Sequence, residues 1–137
     1  MASLHTAARA VRFQDIDAAG IVFFARVFDY FHDALFEHYT ARGMNMADVI
    51  RDASWILPIV HCEADYRAPM RFGDALAVEI ERAELGRSSV TVHYVVRSAS
   101  DASKVHCVGK MVSACIDRAT FKPREIPAEL RAVFTPA

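Results

Sequence analysis

This chain has no long apolar run. The longest, residues 21–25, falls far short of the roughly 20 residues that cross a bilayer. Neither sign of charge is in excess: 16 Lys and Arg stand against 17 Asp and Glu, a formal net charge of −1. No global field therefore draws the protein to nucleic acid or a membrane surface, and no basic block is interleaved with aromatics as a nucleic-acid groove requires. Cysteine is scarce. Cys62, Cys107 and Cys115 form no Cys-x-x-Cys pair and are odd in number, which argues against a zinc site or a disulfide framework. Each stands in a strand-like run and is expected to be buried as a small hydrophobe. No two histidines have helical metal-ligand spacing, so no metal is expected. The start, Met1-Ala2-Ser3-Leu4-His5, lacks the basic-then-apolar order of a secretory signal, which makes the cytoplasm the default location. Glycine and proline number five each, and no linker, repeat or low-complexity segment is visible.

What is present is 137 residues, 53% apolar and 24% charged, the composition of one packed domain spanning 1–137. Residues 6–14 read as a first strand. Residues 24–43 read as a helix, because Phe24, Val27, Phe28, Phe31, Ala34, Leu35, His38 and Tyr39 recur at helical spacing. Tyr30 and Phe36 widen that stripe; Arg26, Asp29, Asp33 and Glu37 mark its wet side, and Gly43 is a stop. A short helix over 46–52 is followed by strand-like runs at 55–67, 75–85, 88–98 and 104–117, with turns at Gly86-Arg87-Ser88 and Ser100-Asp101-Ala102-Ser103. The tail at 127–134 reads as a helical turn or a frayed end. One long helix and a largely antiparallel sheet make a two-layer α+β domain. Val90, Val92, Tyr94 and Val96 share one strand face. Val95 on the other face, and apolar residues on both faces of the last strand (Val108, Val112 and Ile116 against Met111 and Cys115), predict an outer sheet face covered by a second copy of the chain.

The segment richest in chemistry is Val11-Arg12-Phe13-Gln14-Asp15-Ile16-Asp17-Ala18-Ala19-Gly20-Ile21-Val22-Phe23-Phe24. An apolar strand breaks at two acids, a glycine turn follows, and the long helix begins. Residues 21–25 offer no Ser, Thr, Asp or Asn to cap that helix from its own N-cap, so its first N–H groups need other partners. A carboxylate beside uncapped N–H groups is an arrangement for acting on a carbonyl. The same residues also read as an acid capping its own turn.

This segment resembles the Asp-x-Asp-x-x-Gly-[Ile/Val]-Val motif of the hotdog-fold acyl-CoA thioesterases of the 4-hydroxybenzoyl-CoA type. A second segment, Leu57-Pro58-Ile59-Val60-His61-Cys62-Glu63-Ala64-Asp65-Tyr66-Arg67-Ala68-Pro69 followed by Gly73-Asp74, is similar to the second strand and turn of that family. It is most similar to the branch that hydrolyses 1,4-dihydroxy-2-naphthoyl-CoA. The likeness runs from about Ala10 to about Ile116. It implies a hotdog fold, a five-stranded antiparallel sheet wrapped around one long central helix, in a homodimer or homotetramer. It implies hydrolysis of an acyl-CoA, with coenzyme A part of the substrate and no cofactor. It places the catalytic aspartate on Asp17 and the carbonyl-polarising N–H near Phe24, and leaves Asp15 structural.

The expected substrate contacts are Gly20 and Phe23 in the loop, Trp55, His61, and Arg87, Ser88 and Ser89 in the turn where benzoyl-CoA relatives carry a basic cluster. Arg67 and Arg71 are further candidates for coenzyme A phosphates. In the strand reading His61 shares a face with Trp55, Leu57, Ile59, Glu63 and Asp65. His93 and His106 are expected at the surface or an interface, and His38 in the core. Phe24 stands where some short-chain acyl-CoA thioesterases of the superfamily carry His; an apolar ring there suits an aromatic acyl group. The alternatives are a short- or medium-chain fatty acyl-CoA thioesterase, a non-catalytic acyl-CoA-binding module and a hydratase on the same fold.

Overall fold

The computed structural model describes residues 2–136; Met1 and Ala137, the ends of the expected domain, lie outside the described residues. The elements in chain order are β1 (His5–Ala10), α1 (Arg26–Ala41), α2 (Met46–Asp52), β2 (Trp55–Ile56), β3 (Ile59–Tyr66), β4 (Ala75–Leu85), β5 (Ser89–Ser98), β6 (Val105–Ala114), β7 (Ile116–Asp117) and α3 (Ala128–Val133). Five strands form one antiparallel sheet in the order β1-β4-β5-β6-β3, and β2 pairs with β7 in a small ribbon. No helix among the described residues is long and apolar enough to cross a membrane.

Helix α1 is the axis of the fold. Val27, Tyr30, Phe31, Ala34, Leu35, His38 and Tyr39 are buried, most of the stripe that the spacing predicts; Phe24 precedes the helix and is exposed, Phe28 is half-buried, and Asp29, Asp33 and Glu37 face water. Its partners are the inner residues of the sheet: Val78 and Ile80 of β4, Val90, Val92, Tyr94 and Val96 of β5, and Cys107 and Met111 of β6. Phe31 stacks on Tyr94 with ring centroids 4.4 Å apart and planes within 8°. That stack needs Gly109, the residue paired with Tyr94 across β5 and β6. A Cβ there would lie 2.6 Å from the Phe31 ring and 2.5 Å from the Glu63 carbonyl oxygen. The helix ends where Gly43 N–H donates to Thr40 O and Met44 N–H to Tyr39 O, the paired bonds that close a helix C-terminus.

Several sequence expectations are corrected. The first strand stops at Ala10 rather than 14, because residues 13–15 coil into a 3-10 turn whose Asp15 carboxylate reaches back to Arg12 N–H. The helix is shorter than 24–43 by two residues at each end. The run at 55–67 is two strands parted at Leu57-Pro58, and its pairing slips between Ile59 and His61. Ile59 pairs with Ser113 and His61 with Val112, so these two side chains lie on opposite faces and the single face expected for 55–65 does not exist. The last run breaks at Cys115, whose N–H turns to Ser88 O. The tail folds as α3, with Leu130 and Val133 buried.

The outer sheet face is also not the apolar surface expected. Register places His61, Glu63 and Asp65 of β3, Lys110 of β6, His93 of β5 and Arg82 and Glu84 of β4 there. Val95, Val108 and Val112, with the small Ala77 and Ala114, interrupt these polar rows.

Candidate active site

Asp15 builds the loop that joins β1 to α1. It is 1% exposed. Its Oδ2 accepts Arg12 N–H at 3.0 Å and the Tyr30 hydroxyl at 2.8 Å, while its backbone oxygen accepts Phe23 N–H at 2.9 Å. Burial pushes its pKa up, but the Arg12 N–H, the Tyr30 hydroxyl and the Arg12 and Arg9 charges outweigh burial, so the carboxyl titrates below its ordinary range. Asp15 is the clasp between the strand end and the helix start, the structural part expected of it.

Inside that clasp the chain makes a tight turn. Ile16 bridges Val22 and Ile21 bridges Arg71. Asp17 N–H donates to Ile21 O at 3.0 Å, and Gly20 N–H to Asp17 O at 2.9 Å. Gly20 has φ +78°, a left-handed conformation that glycine adopts at no steric cost. The Asp17 side chain is exposed. Its Oδ1 accepts Ala19 N–H at 2.8 Å, and its Oδ2 has no partner among the described residues. One oxygen holds the turn and the other is left unengaged, so capping the turn does not use up the carboxylate.

The start of α1 is uncapped, as the sequence predicts: the N-cap, Ala25, has no side-chain bond. Val22 N–H is taken by Met70 O and Phe23 N–H by Asp15 O. The N–H groups of Phe24 and Ala25 have no acceptor among the described residues. The Phe24 carbonyl is held from outside the helix by the hydroxyl of Tyr66 on β3. The Phe23 and Phe24 rings, 43% and 63% exposed, pack against each other at 4.7 Å. Beside them lies a cleft of about 230 Å³ lined by Ile21, Val22, Tyr66, Arg67, Ala68, Pro69 and Met70.

Asp17, Gly20, Phe23 and Phe24 therefore come together; the other expected contacts do not join them within one chain. Trp55 is 3% exposed and borders a separate hollow with Met46, Val49, Ile50 and Arg118. His61 is exposed on the outer face, with Nε2 2.9 Å from Glu63 Oε1. Arg87, Ser88 and Ser89 form the β4–β5 turn, where backbone bonds tie Arg87 O to Ile126 and Ser88 O to Cys115. That turn is at the far end of β4 from the Asp17 loop, ten residues or roughly 33 Å away at about 3.3 Å per residue. Arg67 lines the cleft and Arg71 is at its edge.

Of the remaining histidines, His38 is in the core as expected, with Nε2 2.9 Å from Val133 O. His93 is partly exposed and contacts Glu84 at 2.7 Å. His106 overturns its expectation: it is 2% exposed, with Nδ1 3.1 Å from Pro69 O, because the turn after β3 folds over it. Cys107 and Cys115 are buried, and burial pushes the Cys107 thiol up to about 12. Cys62, expected inside, is exposed because β3 is the edge strand. Sequence reasoning missed Tyr66 and Tyr30. Tyr66 had a usable signal, the alternation Cys62, Ala64, Tyr66 that puts it on the helix side of β3.

Comparison with known proteins agrees with this geometry. The profile of the thioesterase-like superfamily matches residues 11–134. A 1,4-dihydroxy-2-naphthoyl-CoA hydrolase of Nostoc punctiforme is 35% identical over 124 residues, covering 89% of this chain and 80% of that protein. One of the same name from Synechococcus elongatus is 34% identical over 124 residues, covering 90% and 89%. The crystal structure of a 1,4-dihydroxy-2-naphthoyl-CoA thioesterase from Synechocystis superposes with a TM-score of 0.89 at 23% identity, covering 95% of this chain and 94% of that one, and shows the same fold. A sheet wrapped on one helix, an uncapped helix start beside an acid and these matches lead to one assignment: the chain belongs to the thioesterase-like superfamily and is an acyl-CoA thioesterase of the hotdog fold.

Proposed function

We propose that this chain, acting as one domain over residues 1–137 in the cytoplasm, hydrolyses an aromatic acyl-CoA of the 1,4-dihydroxy-2-naphthoyl kind to the free acid and coenzyme A. The observation that carries the reading is Asp17, with Oδ2 unengaged, in the loop that leads to two N–H groups without acceptors at the start of α1. In this reading the Phe24 and Ala25 N–H groups receive the thioester oxygen as charge develops on it. Asp17 either attacks the carbonyl carbon, expelling the thiolate and forming a mixed anhydride that water then hydrolyses, or takes a proton from a water that attacks the carbonyl itself; in both the thiolate leaves without a strong general acid. The rings of Phe24 and its neighbour Phe23, tilted 56° to each other, offer exposed aromatic faces to an aromatic acyl group, about 0.5–1.5 kcal/mol per ring contact beyond area burial. The relatives named above as 1,4-dihydroxy-2-naphthoyl-CoA hydrolases support this choice over a fatty acyl chain.

The same reading requires a homodimer or larger. A cleft of about 230 Å³ is below the roughly 300–1,000 Å³ of small-molecule sites. The edge strand β3 has seven exposed residues out of eight, a template for pairing with another chain. Two-fold antiparallel pairing of β3 with its copy sets the Ile59 end of one strand beside the Tyr66 end of the other. It thereby brings the partner subunit's Trp55 and the partner subunit's Arg87 turn to the end of the sheet that holds Asp17. The pairing reunites the two groups of expected contacts that one chain keeps apart.

The decisive experiment is Asp17→Asn. The change is nearly isosteric, so the fold and substrate affinity should persist while kcat falls by roughly 10²–10⁴, the scale of a positioned acid–base group. A variant with near-normal kcat removes Asp17 from the mechanism. A substrate panel tests the acyl group: dihydroxynaphthoyl- and hydroxybenzoyl-CoA should exceed hexanoyl- and octanoyl-CoA in kcat/KM, and equal efficiencies would return the fatty-acyl alternative.

A further inference from the structure

The peptide joining Phe24 to Ala25 is held in an unusual way. Phe24 stands just before the N-cap, Ala25, so its carbonyl lies outside the bonding of the helix. Phe28 N–H goes to Ala25 O at 3.2 Å, and Arg26 N–H goes to Phe23 O at 2.8 Å. The Phe24 carbonyl thus receives no N–H from the helix that follows it. It is taken by the Tyr66 hydroxyl, 42 residues away at the end of β3. In a trans peptide the C=O and the following N–H point in opposite directions, so a bond that fixes Phe24 O also fixes the direction of Ala25 N–H.

The two residues before this peptide are anchored too, Val22 by Met70 and Phe23 by Asp15. Nothing else among the described residues holds the Phe24–Ala25 plane. Without Tyr66 that plane is free to rock, at a helix end already lacking a side-chain cap. We propose that Tyr66 is a positioning residue for thioester hydrolysis, aiming Ala25 N–H at the thioester oxygen by holding the Phe24 carbonyl from β3. The proposal rests on the reading of the Phe24 and Ala25 N–H groups as oxyanion donors.

Its location makes Tyr66 a link between two parts of the site. The ring lines the cleft beside Ile21 and Val22, on the sheet edge left open for a second chain. Burial, with the Cys107 and Cys62 thiols nearby, moves the hydroxyl above its ordinary range, so it remains a donor at every pH at which the enzyme would be assayed. The bond acts on a developing oxyanion and not on ground-state affinity. Loss of the hydroxyl should therefore appear in kcat and not in KM.

The test is Tyr66→Phe, which keeps the ring and removes only the donor, run beside Asp17→Asn with dihydroxynaphthoyl-CoA and hydroxybenzoyl-CoA as substrates. The expected result is a tenfold or greater fall in kcat with KM within about twofold, an unchanged thermal midpoint within a few degrees, and a changed ¹⁵N–¹H resonance of Ala25 in the free protein. Unchanged kcat in Tyr66→Phe, with Asp17→Asn inactive, overturns the positioning role and leaves the catalytic reading intact. A raised KM at normal kcat makes Tyr66 a substrate contact and overturns it as well. If Asp17→Asn retains normal kcat, the catalytic reading itself fails and takes this proposal with it, an outcome distinguished by the Asp17 arm alone.

Discussion

His38 shows how one buried residue sets a pH response. It is 1% exposed; its Nε2 donates to Val133 O, and its Nδ1 has no partner among the described residues. Burial lowers its pKa from the ordinary 6.5, and His5 and Arg42 add repulsion, against a smaller opposing effect of the Val133 carbonyl. The unfolded chain therefore takes up a proton near pH 6.5 that the folded protein declines. This stability is full above about pH 6.5 and is lost as pH falls below it. Asp15 acts in a lower window. Its folded pKa is depressed, so its contribution is present above the unfolded value of 3.8 and disappears as pH falls through the folded value. Urea midpoints should thus decline from pH 7 to 5. In His38→Gln, which retains an untitratable donor, that slope should flatten; an unaltered slope would place its origin elsewhere. Asp15→Asn should cost about 1.5–3 kcal/mol at pH 7, the scale of hydrogen bonds to a charged group, read as a lower urea midpoint.

At the scale of elements, the fold depends on how Phe31 of α1 seats against β6. Gly109 makes the room for it: a methyl group there would be 2.5 Å from a backbone oxygen that pairing with β6 holds in place, and 2.6 Å from the Phe31 ring. Gly109→Ala should destabilise by about 1–3 kcal/mol, the range for overpacking, and should disturb the Phe31–Tyr94 stack. Near-UV circular dichroism and urea midpoints together check both; wild-type values for each would mean the helix can shift at no cost. Sequence pattern reached α1, α2 and β4 well, because a stripe or an alternation is a local property of the chain. It did not reach the slip between Ile59 and His61. Alternation assumes an unbroken ladder, and a bulge is decided by the partner strand.

At the scale of the whole molecule, the open question is what covers β3. Ile59, Val60 and Tyr66 are 39%, 61% and 46% exposed along that edge. In the proposed dimer they pair with a second copy, and the Asp17 loop faces the other subunit's far end. Val60→Lys puts a charge on a side chain that a single chain leaves exposed, a device that blocks edge pairing. It should fold normally yet sediment as a monomer at micromolar concentration, with most activity lost. The unaltered protein should sediment as a dimer or tetramer, and an active monomer would defeat the shared-site reading.

The sequence by itself determined the elements that depend on near neighbours: the stripe of α1, the alternation of β5, the turn at Gly86, the uncapped helix start and the acid pair before it. Its resemblance to a family supplied the hotdog fold and Asp17. Only the tertiary structure decided that Asp15 faces inward against Tyr30 while Asp17, two residues on, faces out. The sequence shows two acids; which one is buried depends on a tyrosine one helix away. The tertiary structure also separated Trp55 and the Arg87 turn from the Asp17 loop, and brought Tyr66 to Phe24 across 42 residues. Those are relations between elements, fixed by the order β1-β4-β5-β6-β3 and the curl of the sheet around α1, and no local spacing carries them.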